Sequence, residues 1–203
     1  VFARLGDIDY YHSGELDRAL QRYNRADDDG FAPDELEYKR GFLHYRQERY
    51  DQAAERLFDI GPSNDLVGPD TVLYARANTL YQRQNFFGAQ AFYQELLDRL
   101  QRNRDQIRTL LVDEDPEHRA LVENLIRVHN NLGVAIYRAA VREDPQDPDL
   151  SQALNHLRQS TELRENYLRE DETGQRAAAT TLAFLNIREI LYPTEEYDPQ
   201  IFA

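Results

Sequence analysis

The stretch that decides the fold is GDIDYYHSGELDRALQRY at residues 6–23, because two later stretches follow the same pattern. They are GFLHYRQERYDQAAERLF at 41–58 and ANTLYQRQNFFGAQAFYQ at 77–94. Each contains an alanine, Ala19, Ala53 or Ala89, and these alanines are 34 and 36 residues apart. A nearly constant period of this length predicts an array of repeated helical units.

The positions around the three alanines carry matching types of residue. An apolar or aromatic residue lies three before each alanine and another lies four after it, while a tyrosine lies eight before it. These residues are Leu16, Tyr50 and Phe86; Tyr23, Leu57 and Tyr93; and Tyr11, Tyr45 and Tyr81. Steps of three and four residues are the period of an α-helix, so each unit is predicted to be a pair of helices.

Small residues lie twelve before the alanine in two of the units, at Gly41 and Ala77, whereas Asp7 has this place in the first. Small side chains allow two antiparallel helices to approach closely, and the aromatic residues then fill the space between neighbouring pairs. One pair alone leaves an apolar face open, so about three or more pairs must stack to be stable.

A fourth unit is interrupted. NNLGVAIY at 130–137 matches the first helix of a unit, with Gly133 as the small residue, and LSQALNHLRQS at 150–160 matches the second, with Ala153 as the alanine. The first helix is predicted to run from Pro116 to about Glu143, where DPQDPD breaks it; the insertion relative to the other units lies near 140–149. Another long helix is predicted at 87–111.

This order of small residue, tyrosine, turn, aromatic, alanine and aromatic resembles the tetratricopeptide repeat family over about residues 1–165. The resemblance implies an all-α solenoid, a right-handed superhelix of antiparallel helix pairs, forming one domain over 1–203. The repeats would lie at about 1–32, 33–66, 69–112 and 116–171. Arg40 and Arg76 depart from the family, which usually has leucine at their position.

The C-terminal part is predicted to be a helix at 173–192 and a tail. The helix would either cap the fourth repeat or be the first helix of an unfinished fifth. The tail, PTEEYDPQIFA at 193–203, contains too much proline for a helix, and Ile201 and Phe202 are expected to dock on a neighbouring surface.

Composition excludes several classes of function. The net charge of −13 disfavours binding to nucleic acid or to anionic membranes, and the absence of cysteine removes disulfides and thiolate chemistry. No apolar run is long enough to cross a bilayer, and we expect no signal peptide. Because the chain contains no methionine, we expect a fragment or a processed form; the sequence does not distinguish cytoplasm from periplasm.

The resemblance also implies that the first helix of each unit lines a concave groove that holds a partner segment. The residues at the corresponding positions are Arg4, Ile8, Tyr11 and His12; Tyr38, Lys39, Phe42, Tyr45 and Arg46; Tyr74, Asn78, Tyr81 and Gln82; and Asn130, Asn131, Val134, Tyr137 and Arg138. Aromatic, arginine and asparagine side chains suit partner binding, since amides can bond a peptide backbone. The alternative is that the tyrosines simply pack between helices.

The kind of groove ligand is partly constrained. Some family members clamp a partner's C-terminal carboxylate with lysine, asparagine and arginine, but the aligned positions here include Ile8 and Tyr74, so this subtype is disfavoured. Arg4, Lys39, Arg46 and Arg138 make the groove less negative than the rest of the chain. We therefore expect an acidic or amphipathic ligand whose binding weakens as salt is raised.

Catalytic and metal-binding signals are weak. The five histidines are scattered without an HExxH motif, and RADDDGFAPDEL at 25–36 fails as a calcium loop because Arg25 and Leu36 hold its first and last ligand places. No nucleophile or phosphate-binding motif occurs. The sequence therefore predicts a scaffold without enzymatic activity or cofactor that binds a protein or peptide partner. The alternative is an assembly module, a homo-oligomer or part of a bacterial envelope or motility machine, built through the long helices and the tail.

Overall fold

The computed structural model describes residues 1–30, 33–61, 67–102, 116–167, 178–194 and 197–203, with the side chains of 33, 116–118, 167 and 178–181 excepted. Within these ranges the chain is helical and contains no strand, so the predicted all-α class is confirmed. The chain divides into two compact units, Val1–Asn85 and Phe86–Ala203.

The helices of the first unit are α1 (Phe2–Ile8), a π-helical turn (Asp9–Ser13), α2 (Leu16–Asp28), α3 (Pro33–Arg46), α4 (Tyr50–Asp59) and α5 (Pro69–Gln82). The second unit contains α6 (Phe86–Arg102), α7 (Pro116–Glu143), α8 (Ser151–Tyr167) and α9 (Ala178–Leu191). The predicted end of α7 at Glu143 is confirmed. Residues 103–111 of the helix predicted at 87–111, and residues 173–177 of the predicted C-terminal helix, lie outside the described residues.

Glycines set the distance within the paired helices. A Cβ atom on Gly41 would lie 2.7 Å from Cγ of Leu57 in the α3–α4 pair, and one on Gly133 would lie 2.8 Å from Cγ of Leu157 in the α7–α8 pair. In each pair the neighbour is the residue four after the repeat alanine. Both glycines were predicted to be the small residue of their units, and this contact explains why.

The first unit differs from the predicted register. The residue that packs closely in the α1–α2 pair is Gly6, whose Cβ would lie 2.5 Å from Cε1 of Tyr23, and not Asp7. Gly6 is thirteen residues before Ala19, one more than Gly41 is before Ala53. The π-helical turn at Asp9–Ser13 accommodates this extra residue, because a π turn is one residue longer than an α turn.

The turns after α3 and α5 and after the π-helical turn share one backbone conformation. Gly14, Glu48 and Gln84 each lie five before a repeat alanine, and all have positive φ, at 67°, 60° and 58°. The amide of Arg49 donates to the carbonyl of His44, five residues back, at 2.9 Å. The corresponding bond in the first unit runs from Glu15 to Asp9, six residues back, also at 2.9 Å, which again reflects the one-residue insertion.

Arg40 and Arg76 connect consecutive helix pairs of the first unit. Arg76 donates to the carbonyls of Leu57 and Ile60 at 2.9 and 2.8 Å, where α4 ends, and so satisfies carbonyls that lack a partner in the helix. Arg40, which is buried, donates to Asp27 near the end of α2 at 2.7 Å and to Glu37 at 2.6 Å. These contacts account for arginine at positions where the repeat pattern leads one to expect leucine.

The core of the second unit is centred on α7, which contacts α6, α8 and α9. A helix surrounded by others is apolar on most of its faces, and α7 follows this rule. Its buried apolar residues are Val122, Leu125, Ile126, Val128, Leu132, Val134, Ala135 and Ala139. Three polar residues, His129, Asn130 and Asn131, are buried in the middle of the same helix and therefore need partners.

Candidate functional site

The predicted groove residues of the first unit differ widely in exposure. Those on the surface are Arg4, Ile8, Tyr11 and Arg46, those partly buried are Tyr38, Lys39, Phe42, Tyr74 and Tyr81, and those buried are Tyr45 and Asn78. In the second unit Asn130 and Val134 are buried, while Tyr137 and Arg138 are partly buried. The structure brings some of them together in two places, one in each unit.

In the first unit four rings form a continuous cluster, which we call the aromatic patch: Tyr10, Tyr11, Tyr38 and Phe42. Phe42 stacks on Tyr38 with ring centroids 6.2 Å apart and meets the edge of Tyr10 at 6.1 Å. Tyr10 contacts Tyr11 at 4.6 Å, and Tyr11 is 72% exposed. The cavity beside the patch holds about 40 Å³, room for little more than a water molecule, so the patch offers a surface and not a ligand pocket.

A group of charged and polar side chains around Lys39 lies beside the aromatic patch. Lys39 Nζ contacts Asp7 Oδ1 at 2.8 Å and Glu35 Oε1 at 2.7 Å, and Tyr23 donates its hydroxyl to the same Asp7 oxygen at 2.7 Å. Burial lowers the pKa of Lys39, but the two carboxylates outweigh that effect and the pKa is raised overall. Burial and then the bond to Asp7 raise the pKa of Tyr23. Lys39 is therefore a charged cross-link between α1 and α3.

In the second unit residues 197–203 of the C-terminal tail form no helix or strand and lie against α7 and α9. The side chain of Asn131 on α7 binds both backbone groups of Phe202: Nδ2 donates to the carbonyl at 2.9 Å, and Oδ1 accepts from the amide at 2.7 Å. Asn186 on α9 binds Gln200 in the same way, at 2.9 and 3.0 Å. The tail does lie on a neighbouring surface, through backbone groups of Gln200 and Phe202 and not of Ile201 and Phe202 together as expected.

A third asparagine links these two. Asn130 Oδ1 accepts from Asn186 Nδ2 at 2.9 Å, and Asn130 Nδ2 donates to Asn131 Oδ1 and to the carbonyl of Gln200, both at 3.2 Å. All three asparagines have no exposed surface. We call Asn130, Asn131 and Asn186 the asparagine clamp.

Two side chains of the tail, and the carbonyl of Pro199, make further contacts. Arg138 pairs with the carboxylate of Asp198 and donates to the carbonyl of Pro199 at 3.4 Å, and Tyr197 donates its hydroxyl to Asn186 Oδ1 at 3.0 Å. Ile201 and Phe202 are only half-buried, and Gln200 is exposed. The three asparagines therefore contact the main chain of Gln200 and Phe202, and Arg138 pairs with the acidic side chain of Asp198.

The sequence pattern pointed to part of this site. Asn130, Asn131 and Arg138 were among the predicted groove residues, but Asn186 was not, because α9 lies beyond the recognisable repeats. One signal was available: Asn186 interrupts the apolar run TLAFLNI at 181–187, and a polar residue in such a run is usually buried with a hydrogen-bond partner.

His129, which precedes Asn130 of the clamp in the chain, forms a polar pair with His156. His129 Nδ1 on α7 and His156 Nδ1 on α8 are 3.1 Å apart, so one ring donates and the other accepts. Burial lowers the pKa of His156. Among the described residues no group of three or more His, Asp or Glu side chains is arranged to hold a metal ion. No described helix combines the length and the apolar character needed to cross a bilayer.

A comparison of the chain with models of known protein families gives no match, and a comparison with curated proteins gives none either.

Proposed function

We propose that this chain is a tetratricopeptide-repeat-like solenoid that acts as a non-catalytic scaffold and holds an extended segment of a partner protein. The observation that carries the proposal is the asparagine clamp, which binds the backbone of residues 200 and 202 through paired hydrogen bonds. Binding of this kind provides affinity for an extended peptide while leaving its side chains largely free. No chemical step is required of any residue.

The aromatic patch supports the same function in the first unit. Exposed Tyr11 and half-buried Phe42 offer large rigid surfaces that lose little conformational entropy on binding, which is typical of residues that dominate protein interfaces.

Crosslinking mass spectrometry on material captured from native extract tests the proposal. We expect the wild-type chain to crosslink to a partner, and Phe42→Ala with Tyr81→Ala to weaken binding of the identified partner about tenfold or more while helicity stays unchanged. Phe87→Ala is the matched control, because Phe87 is 65% exposed but lies outside the proposed groove. Equal partner affinity for the wild-type chain and the Phe42/Tyr81 variant contradicts the groove assignment.

A second candidate is an assembly module that forms homo-oligomers. Phe184 and Leu191 on α9 are 63% and 45% exposed and lie two helical turns apart on one face, next to the 73% exposed Tyr192. Light scattering at several concentrations separates the candidates. A mass above 23.8 kDa that Phe184→Ser abolishes, while the Phe42/Tyr81 variant retains it, favours assembly.

A further inference from the structure

The spacing of the clamped residues defines what the asparagine clamp can bind. In an extended chain, alternate residues present their amide and carbonyl to the same side, at intervals of about 6.6–6.8 Å. The clamp binds the backbones of Gln200 and Phe202, which are two residues apart. This spacing matches the hydrogen-bonding groups along one edge of an extended strand. Pro199 lies outside the bound pair, where its missing amide leaves no clamp acceptor unpaired.

The tail supplies most of the hydrogen-bond partners of Asn131 and Asn186. Asn131 and Asn186 each use two donor and two acceptor positions. Those of Asn131 contact Phe202 twice, Tyr93 and Asn130, and those of Asn186 contact Gln200 twice, Tyr197 and Asn130. Departure of the tail would remove five of these eight contacts, so water or another backbone would have to replace them.

The presence of asparagine at these buried positions suggests that the segment bound by the clamp can be replaced by another. A segment that only covers α7 permanently is held most simply by apolar side chains, because burying amides costs free energy unless every one is paired. Backbone hydrogen bonds instead tolerate any side chain that fits an extended strand. Within the described residues of the tail, the charged contact runs from Arg138 to Asp198, whose side chain is 73% exposed.

We propose, on the basis of the function proposed above, that Tyr197–Ala203 is an internal ligand, and that the clamp binds an extended acidic segment of a different protein once this tail is displaced. The segment carries an acidic residue at the position of Asp198 and no proline at the positions of Gln200 and Phe202. The chain is therefore a scaffold whose own tail competes with its partner.

The experiment uses the full chain with two substitutions, Gln200→Pro and Phe202→Pro, which remove the amides donated to the clamp without altering the helices. The matched control is Ile201→Pro, since that amide belongs to the opposite edge of the strand. The probe is a fluorescein-labelled peptide, YDPQIFA with an amidated C-terminus, followed by fluorescence polarisation. We expect the double variant to bind the probe at least tenfold more tightly than the wild-type chain, and Ile201→Pro to bind it no more tightly than wild type.

Modified probes test the register. N-methylation of the peptide at the positions of Gln200 and Phe202 should lower affinity for the double variant about tenfold or more, whereas N-methylation at the position of Ile201 should lower it less than threefold. Replacing the aspartate of the probe by asparagine should weaken binding and reduce its dependence on salt. Equal effects of methylation at all positions would overturn the proposed register.

Two further outcomes decide against the inference. If the double variant keeps its helical circular dichroism but does not bind the probe more tightly than wild type, the tail is not a ligand. If wild-type chains form dimers that the double proline variant does not, the partner segment is the tail of a second copy and not of a different protein. In either case, a partner that crosslinks through the aromatic patch still supports the proposed scaffold function. If no partner is found, the scaffold function and the inference about the tail are both wrong.

Discussion

At the scale of single residues, two glycines determine how closely the paired helices pack. The Cβ atom added by Gly133→Ala would lie 2.9 Å from the carbonyl oxygen of Ala153, a backbone atom, as well as 2.8 Å from Leu157. We expect this substitution to lower the free energy of unfolding by about 1–3 kcal/mol, even though alanine is the better helix former. Urea denaturation followed by circular dichroism measures the change.

Gly41→Ala provides the comparison, because the three atoms nearest to the Cβ atom there belong to the side chains of Leu57 and Arg56. In a background of Leu57→Ala, the added methyl group should cost little. In a background of Leu157→Ala, Gly133→Ala should remain costly because the backbone carbonyl is still in place. An equal rescue at both positions would show that the backbone contact does not matter.

The residue pattern predicted Gly41 and Gly133 but not Gly6. The reason is physical: counting back from Ala19 assumes an uninterrupted α-helix, and the π-helical turn at Asp9–Ser13 adds one residue to that count. Nothing in the spacing of apolar residues distinguishes a π turn from an α turn over five residues. Asp7, which occupies the aligned place of the small residue in the first unit, accepts a hydrogen bond from Tyr23 and pairs with Lys39.

At the scale of helices and turns, the left-handed residues after α3 and α5 carry strain that Gly14 avoids. A side chain at positive φ is disfavoured by about 1–2 kcal/mol, whereas glycine adopts it freely. Glu48 has φ of 60° and is exposed. We therefore expect Glu48→Gly to raise the free energy of unfolding by about 0.5–1 kcal/mol after the greater entropy of glycine in the unfolded chain is counted. Thermal unfolding of the two proteins measures this difference.

The reverse substitution is the control. A Cβ atom on Gly14 would meet nothing within 4 Å, so any cost of Gly14→Ala comes from the backbone conformation alone. Gly14→Ala should therefore lower the free energy of unfolding, whereas Glu48→Gly should raise it. If both substitutions changed stability in the same direction, the turn conformation would not explain either.

Element boundaries were largely predictable from the sequence. Pro33, Pro69 and Pro116 each begin a helix, and the proline-rich segment 144–149 ends α7, because proline suits the first turn and disrupts the interior. The arginines at 40 and 76 looked like departures from the repeat, and their role needed the structure. Their targets, Asp27 and the carbonyls of Leu57 and Ile60, belong to the preceding helix pair, whose position no local pattern reveals.

At the scale of the whole molecule, stability should depend on pH through one histidine in each unit. Burial, followed by the charges of Arg49, Arg56 and Arg40, lowers the pKa of His44, and burial lowers the pKa of His156. Both folded pKa values lie below the unfolded value of 6.5, so the unfolded chain binds more protons in this range. The free energy of unfolding is therefore greatest above about pH 6.5 and falls as the pH is lowered through and below that value.

Urea denaturation between pH 7.5 and 5 tests this dependence. His156→Gln retains a polar group beside His129 but does not titrate, and His44→Gln does the same in the first unit. Each variant should lose part of the pH dependence in this range, and the double variant should lose more. A wild-type chain whose stability is constant from pH 7.5 to 5 would contradict the expectation.

The candidate site was predictable only in part. Asn130, Asn131 and Arg138 were found because they align with positions that the resemblance to tetratricopeptide repeats assigns to a groove, and Tyr11 and Phe42 for the same reason. Asn186 and the tail lie outside the repeats, and their contacts with α7 join residues 56 to 71 positions apart in the chain. Pairing over such distances is determined by tertiary packing, which periodicity does not encode.

The short connection between α9 and the tail has a kinetic consequence. Only five residues separate Leu191 from Tyr197, and a segment tethered so closely competes at an effective concentration in the millimolar range. A partner present at micromolar concentration is then outnumbered about a thousandfold. Its observed association rate should rise with concentration at first and then level off at the rate at which the tail leaves the clamp. At that plateau the rate of partner binding would be set by release of the tail and not by the concentration of the partner.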